Sequence, residues 1–432
     1  MSATSDFVLA QPLFCHHDHH ISYADLDAQR ESFGYDSLLS YATADLATAE
    51  GPRAPQGPMT RERIERLWPK MRLTGYGRAV SLGCRELFGL EFAPENFEAI
   101  SEALQTALAG RTAAEVCAHF VAEKARNLWT IHDYIDDRYG YLPSASALNP
   151  HLYPNSYRFT LRLDHLLDIA DDAPIAEIEA FTGRSAHSLD QLLQRLNEVV
   201  TTFLATGKLA AIKIAVAYLR DLSVSEPTRH EAENAFNRIR NRTLAWGGLR
   251  QDKAAVDATT SRALSDFLLH ALMGRASDED LPVQVHTGYL EGNWRPLDGT
   301  QALRLLPLFG RYRDVRFDVF HGSWPLTAEM GAIAKTYPNV WIDMCWLWAM
   351  NPGQAAQALS QWLDCLPFNK IFAYGADTWL PWGNVGYSLL AKQGVARVLE
   401  EKISSGVMSQ ADAREVAEAI MLRNGLEFYG PE

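Results

Sequence analysis

The chain of 432 residues is 47% hydrophobic and 22% charged, an ordinary globular composition that excludes a disordered protein and a disulfide-stapled miniature. Its 40 Lys and Arg against 53 Asp and Glu leave a net charge of −13. So acidic a chain lacks the basic footprint that phosphate backbones demand, which argues against nucleic acid or an anionic membrane as a partner. Five cysteines, widely spaced and without a CxxC, fit a reducing compartment; neither a basic leader nor a membrane-length apolar run is visible, so the expected location is the cytoplasm.

In chain order, the first landmark is the apolar run Phe7 to Phe14, read as a strand ending in Cys15-His16-His17-Asp18-His19-His20. Residues 24–128 differ in pattern. Thr60 caps a helix from Arg61, Pro94 opens one with Phe97, Ile100, Leu104 and Leu108 at helical spacing, and Thr112 with Glu115 makes a capping box. This block reads as a helical insertion between a first segment, 1–23, and the remainder, 129–432. The insertion is expected either to cover a site or to build a contact in a homo-oligomer.

Short apolar runs then alternate with helical segments. The runs are Asn127–His132, Tyr157–Leu163, Leu209–Leu219, Pro282–His286, Val315–His321, Val340–Met344 and Lys370–Tyr374; the helices include Leu189–Leu204, Thr228–Arg240 and Ser265–Met273. Alternation of this kind predicts a parallel sheet, and eight strands predict a closed α/β (β/α)8 TIM barrel with a helical insertion after strand 1. A doubly wound open sheet is the rival, but no GxGxxG follows any strand.

Barrel enzymes place their chemistry at the C-terminal strand ends, where the loops converge. Strand 1 ends in the histidine cluster, strand 5 at His286 and strand 6 at His321; Asp343 lies near the end of strand 7 and Asp377 just past strand 8. Imidazoles and carboxylates gathered at one rim form a divalent-metal constellation, most simply zinc, with manganese, iron or nickel as alternatives, and one or two ions. Residues i and i+2 of a strand point the same way, so His17 and His19 are the preferred pair; Asp18 with His20 and other pairings in the cluster stay open.

This ordered set resembles the amidohydrolase superfamily of metal-dependent barrel enzymes, in the branch around amidohydrolase 2 and the uronate isomerases. The resemblance rests on His17-x-His19, His286 in PVQVHTG, His321 in FHGSWP, NVWIDMCW, and Asp377 in KIFAYGADT, and it covers residues 7–20 and most of 129–428. It implies His17, His19, His286 and Asp377 as metal ligands, with Asp377 and His321 catalytic. The strand-4 segment IKIA resembles sites where a carboxylated lysine bridges two ions, which makes Lys213 a further candidate ligand. In that family's logic the ion activates a water, Asp377 accepts its proton and passes it to the leaving group, and His321 holds a second ion or polarises the substrate.

For substrate contacts, Arg158, Arg162 and Arg220 lie near strand ends and suit a carboxylate. Of the tryptophans that crowd residues 341–382, Trp346 and Trp379 are candidates to wall a ring. The leading expectation is a metal-dependent hydrolase of a small, anionic organic substrate. A decarboxylase or uronate isomerase-like enzyme on the same site is the alternative, and a catalytically inactive ligand-binding barrel is the third.

Overall fold

The computed structural model describes residues 2–55, 57–133, 142, 152–244 and 256–430. Eight parallel strands run in sequence order: β1 (Leu13–Asp18), β2 (Asn127–His132), β3 (Tyr157–Arg162), β4 (Leu209–Ile214), β5 (Val283–Val285), β6 (Phe317–Val319), β7 (Val340–Asp343) and β8 (Ile371–Phe372). The segment after β8 closes the ring on β1: His16 N–H donates to Tyr374 O (3.1 Å), Asp377 N–H to His17 O (3.0 Å) and His19 N–H to Thr378 O (3.1 Å). The fold is therefore a (β/α)8 TIM barrel. Buried on both faces, its strands carry continuous runs such as Leu13-Phe14-Cys15 and Ala210-Ala211-Ile212, as parallel sheets require.

Most strand limits fall within two residues of the sequence reading, and two differ by more. The chain opens with a helix, α1 (Ala3–Leu9), not a strand from Phe7, because Ser2 caps it by accepting the Ser5 N–H. β4 stops at Ile214 and not at Leu219: the Ala215 N–H leaves the ladder to donate to Asp164 Oδ1 (2.7 Å), and Val216–Tyr218 turns.

Between β1 and β2 the chain is helical: α2 (Tyr23–Gln29), α3 (Ala42–Glu50), α4 (Arg61–Met71), α5 (Gly75–Phe88), α6 (Phe97–Leu108) and α7 (Ala113–Cys117). The Thr112/Glu115 capping box is formed in full. β2 begins at Asn127, just inside the boundary expected at 128. The remaining helices are α8 (Ala173–Thr182), α9 (Leu189–Leu204), α10 (Arg229–Leu244), α11 (Ala258–Asp278), α12 (Leu306–Arg311), α13 (Thr327–Thr336), α14 (Leu347–Met350), α15 (Pro352–Cys365), α16 (Gly383–Ser404), α17 (Gln410–Glu418) and α18 (Asn424–Tyr429).

Two contacts fix the helical block against the rim. α5 crosses α16 closely enough that a Cβ on Gly386 would stand 2.0 Å from Ala79 O, so only glycine permits that approach. Asn293, in the loop after β5, donates to Thr48 Oγ1 on α3 (2.9 Å). At the other end, Phe428 and Tyr429 of α18 pack with Phe14, Ile131, Ala211 and Phe372 to floor the barrel.

Candidate metal centre

Five of the side chains singled out by position meet at the C-terminal rim. His17 and His19 turn their Nε2 atoms to each other at 3.0 Å. Asp377 Oδ1 lies 3.3 Å from His19 Nε2 and 3.7 Å from His17 Nε2, and its Oδ2 is 4.0 Å from His321 Nε2. His321 Nε2 in turn meets His286 Nδ1 at 3.1 Å. All five residues are buried.

The far nitrogens explain the near ones. His19 Nδ1 donates to the Asp133 carbonyl (3.1 Å), His321 Nδ1 to the Cys345 carbonyl (2.9 Å) and His286 Nε2 to the Tyr289 carbonyl (3.0 Å). A carbonyl only accepts, so each of those nitrogens carries the hydrogen, and wherever the ring is neutral, as in His286 and His321, its other end presents a bare lone pair. His321 Nε2 and His286 Nδ1 are then two lone pairs 3.1 Å apart, an arrangement that a cation relieves. Pinning one imidazole nitrogen to a main-chain carbonyl is how metal-binding histidines are oriented.

The electrostatics agree. Burial, reinforced by Lys213, holds His17 well below its ordinary value; burial and then His321 do the same to His286; burial takes His321 down to about 4. Burial would also depress His19, but Asp377 outweighs it and raises His19. The same contact overcomes burial at Asp377 and keeps that carboxyl below its usual range.

Local backbone serves these positions. His321 (φ 61°) and Asp377 (φ 56°) both adopt the left-handed region that non-glycine residues avoid, at a cost of about 1–3 kcal/mol each. Asp18 secures the second of them. Its Oδ1 accepts from Thr378 N–H (2.7 Å) and Thr378 Oγ1 (3.0 Å), and its Oδ2 accepts from Asn384 Nδ2 (2.9 Å). Thus the residue between His17 and His19 fastens the residue after Asp377. In the HTG segment, Gly288 (φ +76°) is required, because a Cβ there would lie 2.3 Å from Trp324 O.

The other singled-out residues divide. Trp379 stacks on His19 (5.2 Å) and Trp346 meets His321 edge-on (5.2 Å), so both stand at the centre. Arg162 is near it, donating to Asp133 Oδ2 (3.0 Å) and Asp164 Oδ2 (2.5 Å). Arg158 is elsewhere: it sits at the start of β3, its guanidinium 4.5 Å over the Trp129 ring, at the floor and not at the mouth. Arg220 is held behind the barrel wall by Asp266 (2.5 Å) and the Leu167 carbonyl (2.6 Å), because β4 ended earlier than expected. Lys213 is fully buried; its Nζ lies 3.4 Å over the Phe320 ring and has no hydrogen-bond partner among the described residues.

Asp133 and Tyr41 are among the rim residues that were missed, as is Cys345, whose sulfur groups with His321 and Asp377. Asp133, just past β2, lies with His17 and His19 in one group of potential ligand atoms within 4.8 Å of each other. The strand-end rule applied to β2 would have found it. Tyr41, at the start of α3, reaches Asp377 Oδ1 with its hydroxyl (3.5 Å), and nothing in its sequence context marks it.

Residues 194–430 match the family model described as Amidohydrolase. Protein fluG of Emericella nidulans is 22% identical over 242 residues, which is 55% of this chain but 27% of that protein, so the chain spans a minor part of that curated relative. Among solved structures, uronate isomerase from Thermotoga maritima aligns with a TM-score of 0.74 at 12% identity, over 99% of this chain and 96% of its own. Glucuronate isomerase from Caulobacter crescentus gives 0.73 at 14% identity, over 99% and 93%. Likeness at such identities is one of fold, and it extends through the helical block between β1 and β2.

Proposed function

This chain belongs to the amidohydrolase family, and from that premise we propose that it is a metal-dependent hydrolase of a small organic substrate, with a divalent ion held by His17, His19, His286 and Asp377. The observation that carries the reading is that His19, His286 and His321 have their outer nitrogens pinned to main-chain carbonyls while their inner nitrogens converge with His17 and Asp377. Imidazole with carboxylate suits zinc first, and manganese, iron or nickel next. When bound, such an ion polarises an oxygen and makes hydroxide available near neutral pH.

The chain's own groups do the rest. Asp377 stays ionised in its buried position and takes the proton of the attacking water; the left-handed backbone presents it to the rim and Asp18 keeps it there. His321, neutral and beside Asp377, orients the substrate oxygen. Tyr41 adds a hydroxyl above the same carboxylate, and Trp346 and Trp379 exclude water from two sides. An anionic substrate was expected to meet three arginines; of these only Arg162 is close, and Asp133 and Asp164 already engage it. The negative charge would therefore be met chiefly by the ion.

A second reading, isomerisation of a sugar acid, is favoured by the full-length likeness to the two isomerases named above. There Asp377 would carry a proton between neighbouring carbons. Product mass separates the readings. Metal-loaded protein is incubated with esters, amides and lactones of small acids, and in parallel with hexuronic acids. Hydrolysis adds one water to the substrate mass and isomerisation adds nothing; loss of carbon dioxide would mark a lyase. Protein that binds no stoichiometric metal and turns over neither panel would overturn the enzymatic reading.

A further inference from the structure

Below the rim lies a second group of histidine and carboxylate side chains that the proposed reaction does not use. His16, Asp318 and Asp343 each offer one ligand atom within 4.8 Å of the others, and all are 1% exposed or less. His16 comes from the same strand as His17. A break in the register of β1 against β2 between Cys15 and Asp18 lets consecutive histidines serve different chambers: His17 meets His19, whereas His16 stacks on Phe372 (4.1 Å) and faces Asp343 Oδ2 (3.9 Å).

The outward atoms of this group are satisfied and the others are not. Asp343 Oδ1 accepts the Cys345 N–H (2.6 Å), and Asp318 Oδ2 accepts the Tyr429 hydroxyl. Gln284 braces the chamber by donating to the His16 carbonyl (3.0 Å) and the Tyr429 oxygen (2.7 Å). By contrast His16 Nδ1, Asp318 Oδ1, Asp343 Oδ2 and Gln284 Oε1 have no hydrogen-bond partner among the described residues. Buried polar atoms are rarely left so, and here the orphans include an imidazole nitrogen and two carboxylate oxygens. Lys213, next to Gln284 in the sheet register, does not serve them: its Nζ is also without a hydrogen-bond partner and lies over Phe320.

We infer that the barrel interior holds a second, structural divalent cation, bound by His16, Asp318 and Asp343, with Gln284 Oε1 as a further oxygen donor. Imidazole with carboxylates places it in the zinc, manganese and iron class. A divalent ion lying among these three side chains would meet both carboxyl groups at once. The floor of Phe14, Phe372, Phe428 and Tyr429 closes the chamber from below, so this ion would be trapped as the barrel closes and exchange slowly.

The site stands independently of the rim, and the test keeps the two apart. Full-length protein refolded with zinc or manganese alone is crystallised and an anomalous-scattering map is calculated. A peak between His16, Asp318 and Asp343 supports the inference whether or not the rim is loaded. A map with only a rim peak, or with none, overturns it and leaves the rim reading to be judged on its own. In solution, two ions per chain are expected, one removed quickly by EDTA and one retained until unfolding. Asp343→Asn and His16→Phe should lose the slow equivalent and keep the fast one. If either folded variant still binds two, the ligand assignment fails.

Discussion

The rim and the chamber beneath it are built from the same residue types within one barrel, yet they are wired in opposite senses. At the rim, imidazoles dominate, and main-chain carbonyls fix which nitrogen carries hydrogen. In the chamber, carboxylates dominate, and a tyrosine and a backbone amide occupy one oxygen of each. The rim is overhung by Tyr41 of the helical block, whereas the chamber is sealed by α18. The contrast teaches that residue type alone does not assign chemistry in a barrel. Height along the strand decides which neighbours a His/Asp group meets: the helical block at the rim, or the aromatic floor of α18 below.

The sharpest way to break that distinction is Asp377→Asn. An amide oxygen can still ligate weakly, but it carries no proton at neutral pH. The expected loss in kcat is about 10²–10⁴-fold, the usual worth of a general base, with metal retained at reduced affinity. Both follow from kinetics paired with elemental analysis of the purified variant. Near-normal kcat would remove Asp377 from the reaction. His17→Ala should instead lower the metal content, and unchanged occupancy would move the ligand to another member of the cluster.

Asp18→Asn tests the support of that same residue. The substitution replaces one carboxylate oxygen by an N–H₂ group and so turns a donor toward the donors Thr378 N–H or Asn384 Nδ2. Outer partners of this kind are worth about 10–100-fold in metal affinity, and a loss of that size is expected here. Metal titration by calorimetry reads it. A variant with unchanged affinity and unchanged kcat would show that Asp18 merely packs.

Acidity offers a finer cut between the histidines. His17 and His286 are already held neutral by burial, while Asp377 holds His19 above its ordinary value. A metal must displace the proton of His19, so binding should release about one proton and weaken by up to about tenfold for each pH unit below the His19 value. Above that value the affinity should level off. A profile that is flat from pH 5 to 8 would contradict the assigned protonation.

Much of this was legible before any coordinates. Seven strands began within a few residues of where the hydrophobic runs began, because strands buried on both faces write themselves as uninterrupted apolar segments. Five of the rim residues followed from asking what ends each strand. What could not be read has physical causes. The entry helix at Ala3–Leu9 depends on one serine cap that looks like any polar residue. Tyr41 arrives from a helical block whose docking depends on a glycine contact between α5 and α16. The fate of the arginines turned on where β3 begins and where β4 ends, the kind of boundary that patterning defines least well.

Those arginines supply the smallest expected effect and the cleanest control. Arg158 was singled out for its place on β3, but it lies on Trp129 at the floor, and Ile131 is its register partner rather than Asp133. Arg158→Ala removes a guanidinium–ring contact worth about 0.5–1 kcal/mol and hydrogen bonds to the Asn155 and Tyr157 carbonyls at the start of β3. Sites this well separated behave additively, so kcat, KM and metal content should stay within about twofold of the parent while the melting temperature falls slightly. Arg162→Ala, two pleat repeats higher on the same strand and joined to Asp133, should by comparison disturb the rim, because it frees the side chain of the residue whose main-chain carbonyl orients His19. If the two substitutions acted alike on metal binding, height along β3 would not separate floor from rim, and the division drawn between them would have to be abandoned.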